Sequence, residues 1–421
     1  MYSMKRIIST YIFDPEMTAG KMIFLSGPRQ VGKTTFGQMW LKSTGVDGTY
    51  FNWDNPEVMV GYRKNPLHFH NIIDEKFKDN PVPMVFDEIH RHPGWSNILK
   101  GIYDSRKEKI KLLVTGSGKI ELFLKSGDSL LGRHFTYRMF PLGLPEVLCN
   151  FTCVLSDIGT ASPVDILADG GKFAGVAREA DFKGAAEGFD LLLKFGGFPE
   201  PFLKGSEKYL RRWHKDYRTL VAREEVRDLS RVQDIKGIET LAEILPTRVG
   251  SNLSIPSISE DLGKKYDTIN LWITILENLQ LVFTVRSWHR NIARTIKKER
   301  KLYFYDWSIL DDAGKRLENL VAISLVRMAT RFTETGLGDY KICYIRDKEK
   351  REVDFILIRD KIPVALFETK EGGRDISKSG RYYANKLGIP FYQIVHKAEK
   401  IEEFSGNCFI IPAKNFLMLT G

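Results

Sequence analysis

Gly27-Pro28-Arg29-Gln30-Val31-Gly32-Lys33-Thr34-Thr35 decides the reading of the N-terminal third of this chain. It satisfies G-x-x-x-x-G-K-[ST] at every required position. The apolar run Met22-Ile23-Phe24-Leu25 ahead of it predicts a buried strand, and Phe36-Gly37-Gln38-Met39-Trp40-Leu41 behind it continues as a helix. Strand, glycine loop and helix is the context in which backbone N–H groups and a helix N-terminus cradle phosphate anions. On this reading Gly27 to Thr35 holds the phosphates of ATP. Lys33 reaches the β- and γ-phosphates, and the Thr34 hydroxyl serves Mg²⁺.

Moving outward, a hydrolytic site of this kind needs acidic groups, and Pro83-Met84-Val85-Phe86-Asp87-Glu88 supplies them. The apolar residues predict a buried parallel strand, with Asp87 at its C-terminal end, where ligands bind in open α/β sheets. Asp87 is the expected Mg²⁺ residue, and Glu88 the one that polarises the attacking water. A third strand, Lys111-Leu112-Leu113-Val114-Thr115, runs into Gly116-Ser117-Gly118. Thr115 or Ser117 is then placed to sense the γ-phosphate, or the stretch is simply a Gly/Ser turn. Arg133 reads either as an arginine finger or as a solvated surface residue.

These elements together resemble the AAA-type ATPases that carry a C-terminal domain of unknown function. The resemblance rests on the P-loop, Phe86-Asp87-Glu88-Ile89-His90, Thr115-Gly116-Ser117, Gly132-Arg133, Pro141-Leu142-Gly143-Leu144-Pro145-Glu146 and Gly196-Gly197-Phe198-Pro199-Glu200-Pro201. It implies an AAA-type core with a helical lid. The stretch from about Cys149 to Lys194 fits no motif, and its short polar and glycine segments suggest an insertion around that lid.

Further on, Ser257-Ile258-Ser259-Glu260 has the form of a helix N-terminus. That helix is expected to run to Leu262 and break at Gly263. Asp267 is expected to cap a second helix, Thr268 to Leu279, with Ile269, Trp272, Ile273 and Leu276 facing a core. Two helices and a tight turn are followed by strands at 281–285 and 302–305. Between them the chain carries Arg286, Arg290, Arg294, Lys297, Lys298, Arg300 and Lys301 against a single acid, Glu299. This is a winged-helix pattern. Its 286–301 basic hairpin suits DNA phosphates, and Trp288 and His289 suit base stacking. A structural hairpin without nucleic acid fits the same residues.

The C-terminal part carries a second chemical signal. Glu352 to Ile358 and Pro363 to Lys370 predict a hairpin about the turn Arg359-Asp360-Lys361. Side chains two apart on a strand share a face, so Glu368 and Lys370 point the same way with Asp354 beside them. Two carboxylates and a lysine suit Mg²⁺-dependent phosphodiester cleavage. Asp354 with Glu368-Thr369-Lys370 resembles the PD-(D/E)XK nuclease motif. Glu318, in Arg316-Leu317-Glu318-Asn319-Leu320-Val321, resembles the acidic residue of that fold's first helix. The resemblance implies catalytic Asp354, Glu368 and Lys370, with metal held by Glu318, Asp354 and Glu368. A hairpin with a surface Glu–Lys pair, or a nuclease fold used only for binding, fits the residues as well. Lys378, Arg381 and Tyr382 follow the motif as phosphate contacts or as an ordinary helix face.

The chain has 421 residues, 43% hydrophobic and 28% charged, with a net charge of +10. This composition suits a multidomain globular protein and is compatible with nucleic acid. No apolar run approaches the roughly 18 residues of a membrane span, and the N-terminus lacks the apolar stretch of a secretory signal. Cys149, Cys153, Cys343 and Cys408 lack a paired zinc spacing, which fits reduced thiols and a cytoplasmic location.

The expectation is therefore an α/β protein with a P-loop NTPase core over 1–150 and a helical lid with insertion over 151–235. A winged-helix domain over 236–310 and a nuclease-like α/β domain over 311–421 follow. ATP and Mg²⁺ are the expected cofactors, and DNA and a homo-oligomer the candidate partners. Two functions remain open: nucleotide control of a DNA-associated, nuclease-like half, or a nucleotide-switched DNA- or protein-binding module that does not cut.

Overall fold

The computed structural model describes residues 5–118, 120, 121, 124, 130–149, 163–179, 183–221, 234–288 and 299–420. They divide into two compact units. The first comprises Ile8–Phe140 with Asn278–Gln280. The second comprises Pro141–Glu277 and Leu281–Gly421, together with the N-terminal residues as far as Ile7.

The first unit is built on strands β1 (Met22–Ser26), β2 (Tyr50–Asn52), β3 (Val82–Asp87), β4 (Ile110–Thr115) and β5 (His134–Arg138). All are parallel, in the order β2-β3-β4-β1-β5. Every residue of β1 and β3 is buried. Near-continuous apolar runs of this kind belong in a parallel sheet covered on both faces. Phe24, Phe51, Trp53, Phe69 and Phe86 fill one side of the core. The helix Lys33–Thr44 follows the P-loop. A Cβ at Gly37 in this helix would stand 3.1 Å from the Val85 side chain, so glycine lets the helix seat closely on β3.

The second unit begins with helices. Pro163–Ala168, Gly170–Glu179, Ala185–Phe195, Pro199–Lys204, Glu207–Leu220 and Ile235–Ile244 lead into the pair Ile255–Leu262 and Tyr266–Asn278. That pair is the one expected from sequence, broken at Gly263 with φ 61°. Its caps differ. Ser254, not Ser257, caps the first helix by accepting from the Ser257 N–H. The second helix starts at Tyr266, which places Asp267 in its first turn rather than before it.

The larger difference lies in the hairpin that follows. Strands β6 (Val282–Ser287) and β7 (Arg300–Phe304) pair as expected. Yet β6 also runs parallel to β8 (Tyr340–Arg346), through Arg286–Cys343 and Ser287–Tyr344. The hairpin therefore belongs to a mixed eight-stranded sheet with β9 (Glu352–Arg359), β10 (Ile362–Lys370), β11 (Phe391–Val395), β12 (Glu402–Phe404) and β13 (Cys408–Pro412). The order is β12-β13-β11-β10-β9-β8-β6-β7. The boundary expected at 310 thus cuts off strands that belong to the C-terminal sheet.

Trp288 is correspondingly not presented for base stacking. Its backbone N–H donates to the Tyr344 carbonyl at 2.7 Å, and its side chain packs on the core of this sheet. His289, Arg290, Arg294, Lys297 and Lys298 lie outside the described residues.

The helices within 163–179 are part of the same layering. Phe173 lies 4.4 Å from the Tyr392 ring, Tyr392 donates to the Leu167 carbonyl at 2.9 Å, and Asn415 donates to the Ala177 carbonyl at 2.8 Å. Within the segment that matched no motif, the helices Pro163–Ala168 and Gly170–Glu179 cover the C-terminal sheet instead of decorating a lid. Among the described residues no helix is long and apolar enough to cross a membrane. Cys149, Cys343 and Cys408 are free thiols, and Cys153 lies outside the described residues.

Candidate functional site

The P-loop sits at the C-terminal end of β1, where the sheet offers its ligand-binding edge. A Cβ at Gly27 would fall 2.6 Å from the Met139 carbonyl oxygen, so only glycine lets the loop pass. Gly32 takes φ 104° immediately before the helix, and no side chain caps that helix start. A helix start of this kind, following a glycine loop, is a place where anions bind. Lys33 is buried, and its ammonium donates to the carbonyls of Gly27 at 2.8 Å and Pro28 at 2.7 Å. Pro28, Arg29, Gln30 and Val31 form the span of the loop, with Gln30 in the left-handed region at φ 59°. Thr35 is exposed in the first helical turn.

Asp87 ends β3 and is buried there. Its Oδ2 accepts the hydroxyls of Thr34 and Tyr50, each at 2.7 Å, and its Oδ1 accepts the Thr115 hydroxyl. Burial and the Asp87 carboxylate push the Tyr50 hydroxyl well above its ordinary pKa, so it remains a donor. Thr34 and Asp87, one alcohol and one carboxylate in direct contact beside a phosphate cradle, fit the hard oxygen donors that Mg²⁺ prefers. Thr115 is committed to Asp87. Ser117, two residues on, is buried beside it and is the remaining polar side chain of that turn.

Glu88 stands in the left-handed region at φ 57° and ψ 26°, with its N–H on the Thr115 carbonyl at 2.9 Å. Such a conformation in a non-glycine residue at a ligand edge is strain of the kind found at functional sites. Burial pushes its carboxyl up to about 7, reinforced by Asp87 and opposed by Lys33. His90 Nε2 lies 3.4 Å from its Oε2.

Arg133 is elsewhere. It immediately precedes β5, whose first residue pairs with Met22 at the start of β1. That is the opposite end of the sheet from Gly27, about 17 Å away at the rise of a strand. Its guanidinium pairs with Asp104 at 2.8 Å. It does not reach the phosphate site of its own chain.

An arginine of the sheet that does stand at the phosphate end is Arg138, which pairs in register with Ser26. Its Nη2 lies 2.6 Å from Glu121 Oε2, and Glu121 also accepts the Ser26 hydroxyl. Tyr50, Glu121 and Arg138 were missed by sequence reasoning. Arg138 was within reach of it, as the last residue of the alternating run His134 to Arg138 in a sheet whose C-terminal edge binds the ligand.

The second constellation lies wholly within the other unit. Glu352 and Asp354 share one face of β9, Glu368 and Lys370 one face of β10, and Lys301 and Tyr303 one face of β7. Glu318 comes from the helix Ala313–Glu334. The main chain of Phe304 is clamped to this helix by Asn319, at 2.8 and 2.7 Å. The Tyr303 hydroxyl donates to Glu318 Oε1 at 2.7 Å. Lys370 Nζ lies 2.7 Å from Glu368 Oε1, and Asp354 Oδ2 accepts the Thr369 N–H at 3.0 Å. The expected association of Asp354, Glu368, Lys370 and Glu318 is therefore seen in space.

Lys301 enters the group as well. It was assigned above to the basic hairpin, but it is 2% exposed. Its ammonium lies 2.6 Å from Glu352, 3.6 Å from Asp354 and 3.9 Å from Glu318. Burial alone would lower its pKa, but the three carboxylates overcome burial and raise it, so it stays charged. Glu318 is raised by burial and by Asp354. Among the described residues no group of three or more His, Cys, Asp or Glu side chains is arranged to hold a metal ion. With an ammonium among the carboxylates, the residues present do not fit the expected metal centre. Lys378 and Arg381 are exposed on the helix Lys378–Leu387, and Tyr382 there stacks on the Arg351 guanidinium at 3.9 Å.

Residues 19–148 match an AAA domain, and residues 186–340 match a domain of unknown function (DUF8612). An uncharacterized protein of Methanocaldococcus jannaschii is 26% identical over 357 residues, covering 81% of this chain and 73% of the relative. Among solved structures, the Thermotoga maritima RuvB Holliday junction branch migration motor aligns at 14% identity and a TM-score of 0.28. That alignment covers 66% of this chain and 86% of that one. The Aeropyrum pernix Orc1 protein in complex with DNA aligns at 15% identity and a TM-score of 0.28, covering 73% and 87%. TM-scores this low do not establish a common overall fold. The chain thus carries a P-loop AAA domain, which implies use of ATP with Mg²⁺, followed by a domain of unknown function.

Proposed function

We propose that the first unit binds and hydrolyses ATP, and that its nucleotide state controls a DNA-associated, nuclease-like C-terminal half. The carrying observation is the contact of Thr34 with Asp87 beside the Gly27–Thr35 cradle, with Glu88 next in the chain. Loop N–H groups and the helix start hold phosphate oxygens, and Lys33 balances their charge. Mg²⁺, when bound at Thr34 and Asp87, supplies the charge neutralisation that phosphoryl transfer needs. Glu88 orients the attacking water and accepts its proton, and Ser117 faces the end of the phosphate chain. Arg138, held by Glu121, is placed to stabilise charge there, whereas Arg133 has that part only toward a second copy. The net charge of +10 and the basic 286–301 segment support a nucleic-acid partner.

One observation favours the reading in which the C-terminal half binds without cutting: the Lys301 ammonium among its carboxylates. Both halves of the proposal are tested on the same preparations. ATP turnover is measured for the wild type, Lys33→Ala and Glu88→Gln, with and without DNA. Each substitution is expected to lower turnover at least about a hundredfold, the scale of losing one transition-state contact. Wild-type turnover no higher than that of Lys33→Ala rejects hydrolysis. DNA incubated with Mg²⁺ or Mn²⁺ is expected to stay intact, and cleavage abolished by Glu368→Ala would restore the nuclease reading.

A further inference from the structure

We infer that Tyr50 is a positioning residue of the nucleotide site: its hydroxyl holds the Asp87 carboxylate toward Thr34, so that Mg²⁺ arriving with the nucleotide meets an acid already aimed. The inference rests on the reading of the first unit as an ATP site. It gives Tyr50 no contact with nucleotide or ion; the residue acts through Asp87.

Three observations carry it. The first is the grip on Asp87. The carboxylate accepts hydroxyls from three directions: Thr34 on the helix Lys33–Thr44, Tyr50 on β2 and Thr115 on β4. Thr34 and Tyr50 share Oδ2, each at 2.7 Å. All three are neutral donors. They orient a buried carboxylate without cancelling its charge, and a buried charge is costly until an opposite charge meets it. Acidic residues of metal sites are held in this way by hydrogen-bonding partners that do not themselves touch the ion.

The second is how the chain delivers the hydroxyl. Strand β2 has three residues and lies at the edge of its sheet. Phe51 is buried in the aromatic core beside Phe69 and Phe86. Successive side chains of a strand alternate, so Tyr50 is turned to the other face, where Gly37 of the P-loop helix meets Val85. Tyr50 pairs in register with Val85, two residues before Asp87. The offset along the strand is about 7 Å. A serine or threonine at this register has a hydroxyl but not the reach, and a phenylalanine has the reach but no donor.

The third is that packing does not account for the residue. Tyr50 is only part-buried, and the apolar anchoring of β2 falls to Phe51. What the tyrosine adds to this position is the oxygen on Asp87.

The test measures ADP binding to the full chain by calorimetry, once in EDTA and once in Mg²⁺, and takes the ratio of the two dissociation constants. ADP is used because it is not consumed. The wild type is expected to bind more tightly with Mg²⁺. Tyr50→Phe is expected to keep the EDTA constant within about twofold. It should lose at least about tenfold of the gain that Mg²⁺ brings, the lower end of the cost of removing a partner behind a metal ligand. A tyrosine that only supported the fold would shift both constants together and leave their ratio unchanged. The double variant Tyr50→Phe/Asp87→Asn checks the route: it is expected to show the same ratio as Asp87→Asn alone.

A wild-type ratio in Tyr50→Phe overturns the inference. So does a double variant whose ratio falls below that of Asp87→Asn, since Tyr50 would then act by another path. Wild-type affinity that Mg²⁺ does not improve overturns it as well. Thermal melts in EDTA accompany each titration, and a Tyr50→Phe chain that melts like the wild type while losing the Mg²⁺ gain supports the inference. The two readings fail separately. The expected ratios without ATP turnover would reject hydrolysis and support the role of Tyr50, whereas turnover with unchanged ratios would reject that role alone.

Discussion

Glu88 shows what a single largely buried carboxyl, its side chain 21% exposed, costs the molecule that keeps it. Its folded pKa of about 7 lies above the ordinary 4.5 because burial disfavours the charged form. A raised carboxyl pKa means that the folded chain holds the proton more tightly than the unfolded chain does. Glu88 is therefore harmless to stability below about 4.5, becomes progressively destabilising as pH rises from there to 7, and carries its full penalty above. The interval corresponds to about 3 kcal/mol. Glu88→Gln, neutral at every pH and nearly isosteric, is expected to be more stable than the wild type at pH 8 by up to that amount, measured by urea unfolding of the nucleotide-free protein. Near pH 5 the gain should fall below about 1 kcal/mol. Equal stability of the two chains at pH 8 would mean that the carboxyl is not buried in its charged form. The left-handed backbone at this residue adds a second local cost, and both are of the kind a site retains for function.

At the scale of elements, the helix Ile255–Leu262 separates a motif read from sequence from the cap that forms. Ser257-x-x-Glu260 has the right residues, but the structure starts the helix one turn earlier, with Ser254 accepting the Ser257 N–H. Ser254→Ala should cost about 1 kcal/mol, the usual value of an N-cap. Ser257→Ala should stay within about 0.5 kcal/mol. Thermal melts of the two variants decide between the registers, and the reverse order would return the cap to Ser257.

The same contrast runs through the chain. Strands β1, β3, β4, β9 and β10 were legible because each carries its own signal: an apolar run, an alternation, or a two-residue turn such as Asp360-Lys361, where both residues take positive φ. The pairing of β6 with β8 was not legible. It joins residues more than fifty apart through only two register positions, and nothing local encodes it. Lys301 was misassigned for the same reason. The residues before it are charged, and only the long-range pairing turns its face toward Asp354. Arg133 and Arg138 were separable in principle, since parallel strands fix which end of the sheet meets the ligand.

At the scale of the whole molecule, the question is whether the nucleotide site and the C-terminal half share free energy at all. The proposed control of one by the other has a strict thermodynamic form. If ATP changes the affinity for DNA by some factor, then DNA changes the affinity for ATP by the same factor, because both are legs of one cycle. The cycle is accessible with Glu88→Gln, which should hold ATP without consuming it and leaves Lys33, Thr34 and Asp87 in place. Four dissociation constants are needed: ATP with and without saturating DNA, and DNA with and without saturating Mg²⁺-ATP. The two ratios are expected to agree and to differ from unity by at least about fivefold, the lower end of ordinary allosteric coupling. Because the basic 286–301 segment is the expected contact for DNA, the DNA constants should weaken steeply with added salt while the ratio between them changes little. Measurable DNA binding with both ratios at unity would leave two sites on one chain without control. Unequal ratios would mean that the cycle does not close and that a second copy of the chain takes part in binding.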